Sequence, residues 1–152
     1  MEKLELNIIP KEGLGKLYFG LNIDEIASVL GEPSEVEEIS DDDDFNTLIL
    51  NYSELGLSIF FEGRDQASLS CLEVDNRNCI LFGKKVFSLT EQEIVSLMNE
   101  NGFSDIDMED EEWGEHRVSF EDGLIDFYFT DGVLTTINWG VLVNDQGEVE
   151  EL

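Results

Sequence analysis

The chain repeats itself, and this limits its fold more than any other feature. A shift of 68 positions places Glu25 on Glu93 (93 − 25 = 68), Gly15-Lys16 on Gly83-Lys84 and Glu25-Ile26 on Glu93-Ile94. Phe19, Leu21, Ser28, Glu32, Asp42 and Phe61 likewise meet Phe87, Leu89, Ser96, Glu100, Asp110 and Phe129. Counting these pairs gives ten identities over the 48 positions from Leu14 to Phe61. Ordinary residue frequencies would give roughly three. Similar pairs extend the match: Leu50-Asn-Tyr52 overlays Val118-Ser-Phe120, and Leu57, Ile59 and Phe61 overlay Ile125, Phe127 and Phe129. A chain that repeats this way is built from two copies of one supersecondary unit. Residues 1–77 and 78–152 are the two α+β repeats, expected to pack as one compact unit.

Each copy has the same local grammar. Asn22 with Glu25, and Thr90 with Glu93, have capping-box spacing. They predict helices that bury Ile26, Val29 and Leu30 in one copy and Ile94, Leu97 and Met98 in the other. Gly31 with Pro33, and Gly102, end them. Alternating runs over 48–53 and 57–62, and over 116–121 and 125–130, predict hairpins. Residues 69–75 and 133–140 supply a third strand to each copy, and 34–39 and 104–108 are candidates for another. The expected class is α+β: a tandem duplication of a helix followed by an antiparallel β-meander, with the helices packed on one face of the sheet.

Charge narrows the partners. Thirty-six Asp and Glu stand against eight Lys and Arg, for a net charge of −28 and a sequence pI near 4.1. The 41% apolar content and ten Phe argue for a packed core rather than disorder. Phosphate backbones are bound by Lys and Arg, and anionic membranes repel acidic surfaces, so neither nucleic acid nor membrane is an expected partner. A basic protein is. Met1-Glu-Lys-Leu-Glu5 lacks the apolar stretch of a secretory signal, and no run reaches transmembrane length. Two cysteines, Cys71 and Cys79, make no disulfide framework. A cytoplasmic monomer is the expectation.

The densest acidic runs fall at overlaid positions: Asp41, Asp42, Asp43 and Asp44 before Phe45, and Glu109, Asp110, Glu111 and Glu112 before Trp113. They predict two similar loops in which carboxylates steer a basic partner and a ring anchors it. Strand alternation adds Phe60 and Tyr128, one ring per copy, beside Ser58 and Asp126 on the face away from the helices. His116, the single histidine, has no nucleophile paired with it in sequence, so no catalytic set is expected. The two cysteines and one histidine lack zinc spacing, and the acidic runs lack the EF-hand pattern. No metal or cofactor is expected.

Gly20, Asn22, Glu25-Ile26, Leu30-Gly31 and Pro33 together resemble a family signature. The segment is similar to the superfamily that holds the beta-lactamase inhibitor protein and the SmpA/OmlA (BamE-like) lipoproteins. The second copy keeps Leu89, Thr90, Glu93-Ile94 and Gly102, with Ser88 for the first Gly and no Pro. The resemblance implies tandem helix-plus-sheet repeats whose strands form a concave sheet that grips a protein. The expected function is therefore an acidic, non-enzymatic protein-binding module, an immunity-type inhibitor that neutralises a basic toxin such as a nuclease. The alternatives are an acidic secretion chaperone and a small-ligand-binding or enzymatic domain.

Overall fold

A computed structural model describes residues 6–40, 46–63, 67–110 and 114–142. Among them are thirteen strands and two α-helices. The first half holds β1 (Asn7–Ile9), β2 (Gly13–Leu14), β3 (Leu17–Tyr18), α1 (Ile23–Leu30), β4 (Glu35–Ser40), β5 (Asn46–Tyr52), β6 (Leu57–Gly63) and β7 (Ser68–Val74). The second holds β8 (Ile80–Leu81), β9 (Lys84–Lys85), α2 (Glu91–Glu100), β10 (Ile106–Asp110), β11 (Glu115–Phe120), β12 (Ile125–Thr130) and β13 (Val133–Gly140). None of the described helices is long and apolar enough to cross a membrane.

The chain is mostly β, which corrects the expected α+β class with its helix-plus-meander copies. Its helices have only eight and ten residues, two to three turns each, against sheets of five and eight strands. The eight-stranded sheet has the order β10-β11-β12-β13-β7-β6-β5-β4, and every neighbouring pair in it is antiparallel. The five-stranded sheet, β3-β2-β1-β8-β9, is absent from the expected pattern. Its parallel pair sets Asn7 opposite Ile80 and Ile8 opposite Leu81, joining the start of one half to the start of the other. Strands of two or three residues carry no readable periodicity, so only their tertiary pairing defines them.

The two halves meet where β13 pairs with β7, with Ile137 opposite Val74 and Trp139 opposite Leu72. Gly140 faces Cys71 there, and a Cβ on Gly140 would lie 2.5 Å from the Ser70 carbonyl oxygen, so only glycine lets the strands come so close. Trp139 is fully buried, and its indole N–H donates to the Gly13 carbonyl at 3.0 Å. One side chain thus ties the large sheet to the small one.

Both helices start with complete capping boxes: Asn22 accepts from the Glu25 N–H and Thr90 from the Glu93 N–H, and each Glu side chain accepts in return. Ile26 is buried on α1, and Ile94, Leu97 and Met98 on α2. Val29, expected in the core, is 41% exposed, and Leu30 is only partly buried. Eight residues present one short stripe, and Ile26 occupies its centre. These residues join Leu57, Ile59 and Phe61 and their counterparts Ile125, Phe127 and Phe129 in one apolar core. The opposite face of the large sheet is left to other residues.

Candidate functional site

Residues paired across an antiparallel ladder share a face. One row crosses all eight strands on the open face: Glu35, Asn51, Ser58, Glu73, Asn138, Asp126, Ser119 and Asp107. Those on the six inner strands lie between buried neighbours; Ser119, for example, sits between buried Val118 and Phe120. A second line flanks the row and differs between halves. In the first half it runs Glu37, Ile49, Phe60 and Cys71; in the second, Glu109, Arg117, Tyr128 and Thr136.

The electrostatics of this face are one-sided. Among the described residues this face carries Glu35, Glu37, Glu62, Glu73, Asp107, Glu109 and Asp126 along its strands and one cation, Arg117, beside Asp107 and Glu109. Arg117 Nη2 lies 2.6 Å from Glu109 Oε2 and 3.4 Å from Asp107 Oδ2. Burial works against its charge, but Asp126, Glu109, Tyr128 and Asp107 outweigh that and raise its pKa. Burial first, and then Asp126, raises the Tyr128 phenol. Burial and the nearby Glu62 push the Cys71 thiol up to about 12, although its sulfur lies 3.2 Å from Asn138 Oδ1. Lys11, Lys16, Lys84 and Lys85 all belong to the small sheet or its turns.

Two grooves open on this face. One, of about 340 Å³, lies along Glu35, Asn51, Ser58 and Glu73. The other, of about 440 Å³, lies along Arg117, Ser119, Asp126 and Asn138, with Glu62 and Asp107 at its sides. They occupy related places in the two halves, because Asn51 overlays Ser119 and Ser58 overlays Asp126.

Phe60 and Tyr128 stand on the open face, half-buried, as alternation predicts. Asp41, Asp42, Asp43, Asp44 and Phe45 lie outside the described residues, as do Glu111, Glu112 and Trp113. Glu109 and Asp110 are strand residues of β10 rather than loop residues. The reason is a register offset. Leu50 and Val118 are related by 118 − 50 = 68, but their edge-strand partners, Val36 and Met108, by 108 − 36 = 72. Four residues inserted after the second helix carry part of the acidic run into the sheet. Glu109 therefore points to the open face, and Asp110 to the other side.

There Asp110 Oδ1 lies 2.7 Å from His116 Nδ1, while Glu91 Oε1 of α2 lies 3.0 Å from Nε2. His116 pairs with Phe129 and so sits on the core side of the sheet rim, away from both grooves. Among the described residues no cluster of three or more His, Cys, Asp or Glu is placed to hold a metal ion. Sequence reasoning passed over Ile49 and Arg117. Ile49 is 8% exposed although it lies on the open face. The signal available was their overlaid position, with an aromatic cross-strand neighbour in each copy.

Compared with known proteins, the chain matches no family model, no curated protein and no solved structure. The resemblance to the inhibitor superfamily rests on the motif residues alone.

Proposed function

We propose that this protein is a non-enzymatic binding module that captures a basic protein on the open face of its large sheet, as a cytoplasmic immunity-type inhibitor of a toxin such as a nuclease. The observation that carries the reading is the face itself: carboxylates spread across its strands, one guanidinium among the described residues, and Phe60 and Tyr128 half-buried among them. Eight strands at about 4.8 Å spacing and about six residues long cover roughly 33 by 20 Å, or about 650 Å². A standard protein interface takes about 800 Å² per partner, so the face and its rim suffice. A nuclease cleft is cationic because it must hold phosphates, and such a field both speeds encounter and selects against acidic proteins. The position of His116, away from both grooves and between two carboxylates, favours binding over catalysis.

The test is capture from the source organism with the wild-type chain and with a Glu35→Lys/Glu73→Lys variant. The expected result is one basic protein enriched by the wild type, weakened by salt, absent with the variant, and inhibited in its own activity. Failure to enrich a basic protein, or equal enrichment by the variant, overturns the reading.

A further inference from the structure

The 440 Å³ groove contains two polar groups that the fold leaves unanswered. Ser119 is 5% exposed, and its hydroxyl has no hydrogen-bond partner among the described residues. The same holds for Arg117 Nε. Leaving a buried polar group unpaired costs free energy, so such pairs are uncommon unless something completes them. The space greatly exceeds the ~30 Å³ of one water.

We infer that this groove is a subsite for one Lys or Arg side chain of a protein partner, with Asp126 and Ser119 as its acceptors. The inference rests on the reading of the open face as a protein-binding surface. The charge decides the sign of the occupant. Among the described residues Glu62, Asp107, Glu121 and Asp126 line the groove against one cation, Arg117, so an anion is repelled and a cation attracted. Arg117 is paired with Glu109 and Asp107, whereas Asp126 acts on it through charge alone and takes no hydrogen bond among the described residues. Ser119 stands between Asp126 and Asp107 in the cross-strand row, so a cation donating to Asp126 also reaches toward the serine hydroxyl.

Arg117 holds the place until then. Its outer nitrogen reaches Asp107, the cross-strand neighbour of Ser119. Its tethers, Asp107 and Glu109, are more than half exposed, and ion pairs of that kind are weak. An entering cation competes with the Arg117 arm for the carboxylates of the groove. The freed Nε–H then meets a backbone carbonyl of the incoming segment.

The probe is N-acetyl-arginine-N-methylamide, titrated at low ionic strength and followed by amide chemical shifts of the full chain. N-acetyl-norleucine-N-methylamide serves as the uncharged control. Saturable shifts centred on Ser119, Asp126 and Asn138 are expected with the arginine compound and not with the control. Asp126→Asn weakens binding about tenfold and Ser119→Ala about threefold, while Asp24→Asn on α1 leaves it unchanged. Unsaturable shifts spread over all acidic residues, equal shifts with the control, or unchanged affinity in Asp126→Asn overturn the subsite. Should the probe bind here while the Glu35→Lys/Glu73→Lys variant still captures the basic protein, the subsite stands and the proposed function falls. The converse result removes the subsite and keeps the function.

Discussion

Trp139→Phe tests whether the joint between the two sheets carries stability. The indole is fully buried, and its N–H donates at 3.0 Å to the Gly13 carbonyl, a contact across 126 positions of sequence. Phenylalanine keeps the aromatic character and removes the donor. Taking a partner from a buried carbonyl costs about 1–2 kcal/mol. The smaller ring also leaves roughly 40 Å³ unfilled, which at about 24 cal/mol per Å³ adds about 1 kcal/mol. The expected destabilisation is about 2–3 kcal/mol, and at this chain length the melting temperature falls by about 4–12 °C. Urea unfolding followed by far-UV circular dichroism measures it without relying on the altered chromophore. Benzothienylalanine at 139, which keeps the volume and lacks the N–H, should lose only the hydrogen-bond part. A loss below about 0.5 kcal/mol in Trp139→Phe, or none with the isostere, would refute the claim that this side chain joins the sheets.

Three further outcomes follow from local geometry. The Thr90 backbone N–H, and then its hydroxyl, hold the Glu93 carboxyl below its ordinary 4.5. A depressed folded-state pKa gives stability that is complete above 4.5 and lost as pH falls through the folded value. Glu93→Gln should therefore be less stable than wild type at pH 7 and equal to it in strong acid, as paired denaturation curves at the two pH values would report. Burial pushes the thiols of Cys71 and Cys79 up to about 12, so both stay protonated at pH 8, and iodoacetamide should label them far more slowly in the native chain than in urea, by mass spectrometry. Gly56 takes a left-handed φ of +59°, and an added Cβ would run into the Asp75 carboxylate. Gly56→Ala should cost about 1–2 kcal/mol in urea unfolding, and a neutral result would contradict the turn geometry.

The parts of the fold that local chemistry sets were readable. Asn22 with Glu25, and Thr90 with Glu93, form both reciprocal bonds because a capping box involves only four consecutive residues. Leu57, Ile59 and Phe61 turn inward because alternation is a property of the strand alone. Phe60 and Tyr128 came to the open face for the same reason. The exposure of Val29 was not readable, since its burial depended on how far a two-turn helix reaches over the sheet. Nor was the offset that moved Glu109 into β10. An ungapped overlay cannot place an insertion, and the pairing of Met108 with Val118 is decided across the ladder. Arg117 belonged to the face from the start, but its importance came from neighbours on other strands.

By itself the sequence determined where the two helices start and which side of each long central strand faces the core. It also determined a large negative charge. These are matters of spacing and composition, which act within a few residues or on the whole chain at once. Only the tertiary structure decided that the class is mostly β, that β1 pairs with β8, and that the halves join at Gly140. It alone lined up the row from Glu35 to Asp107, because register between strands is fixed by packing among residues far apart in the chain.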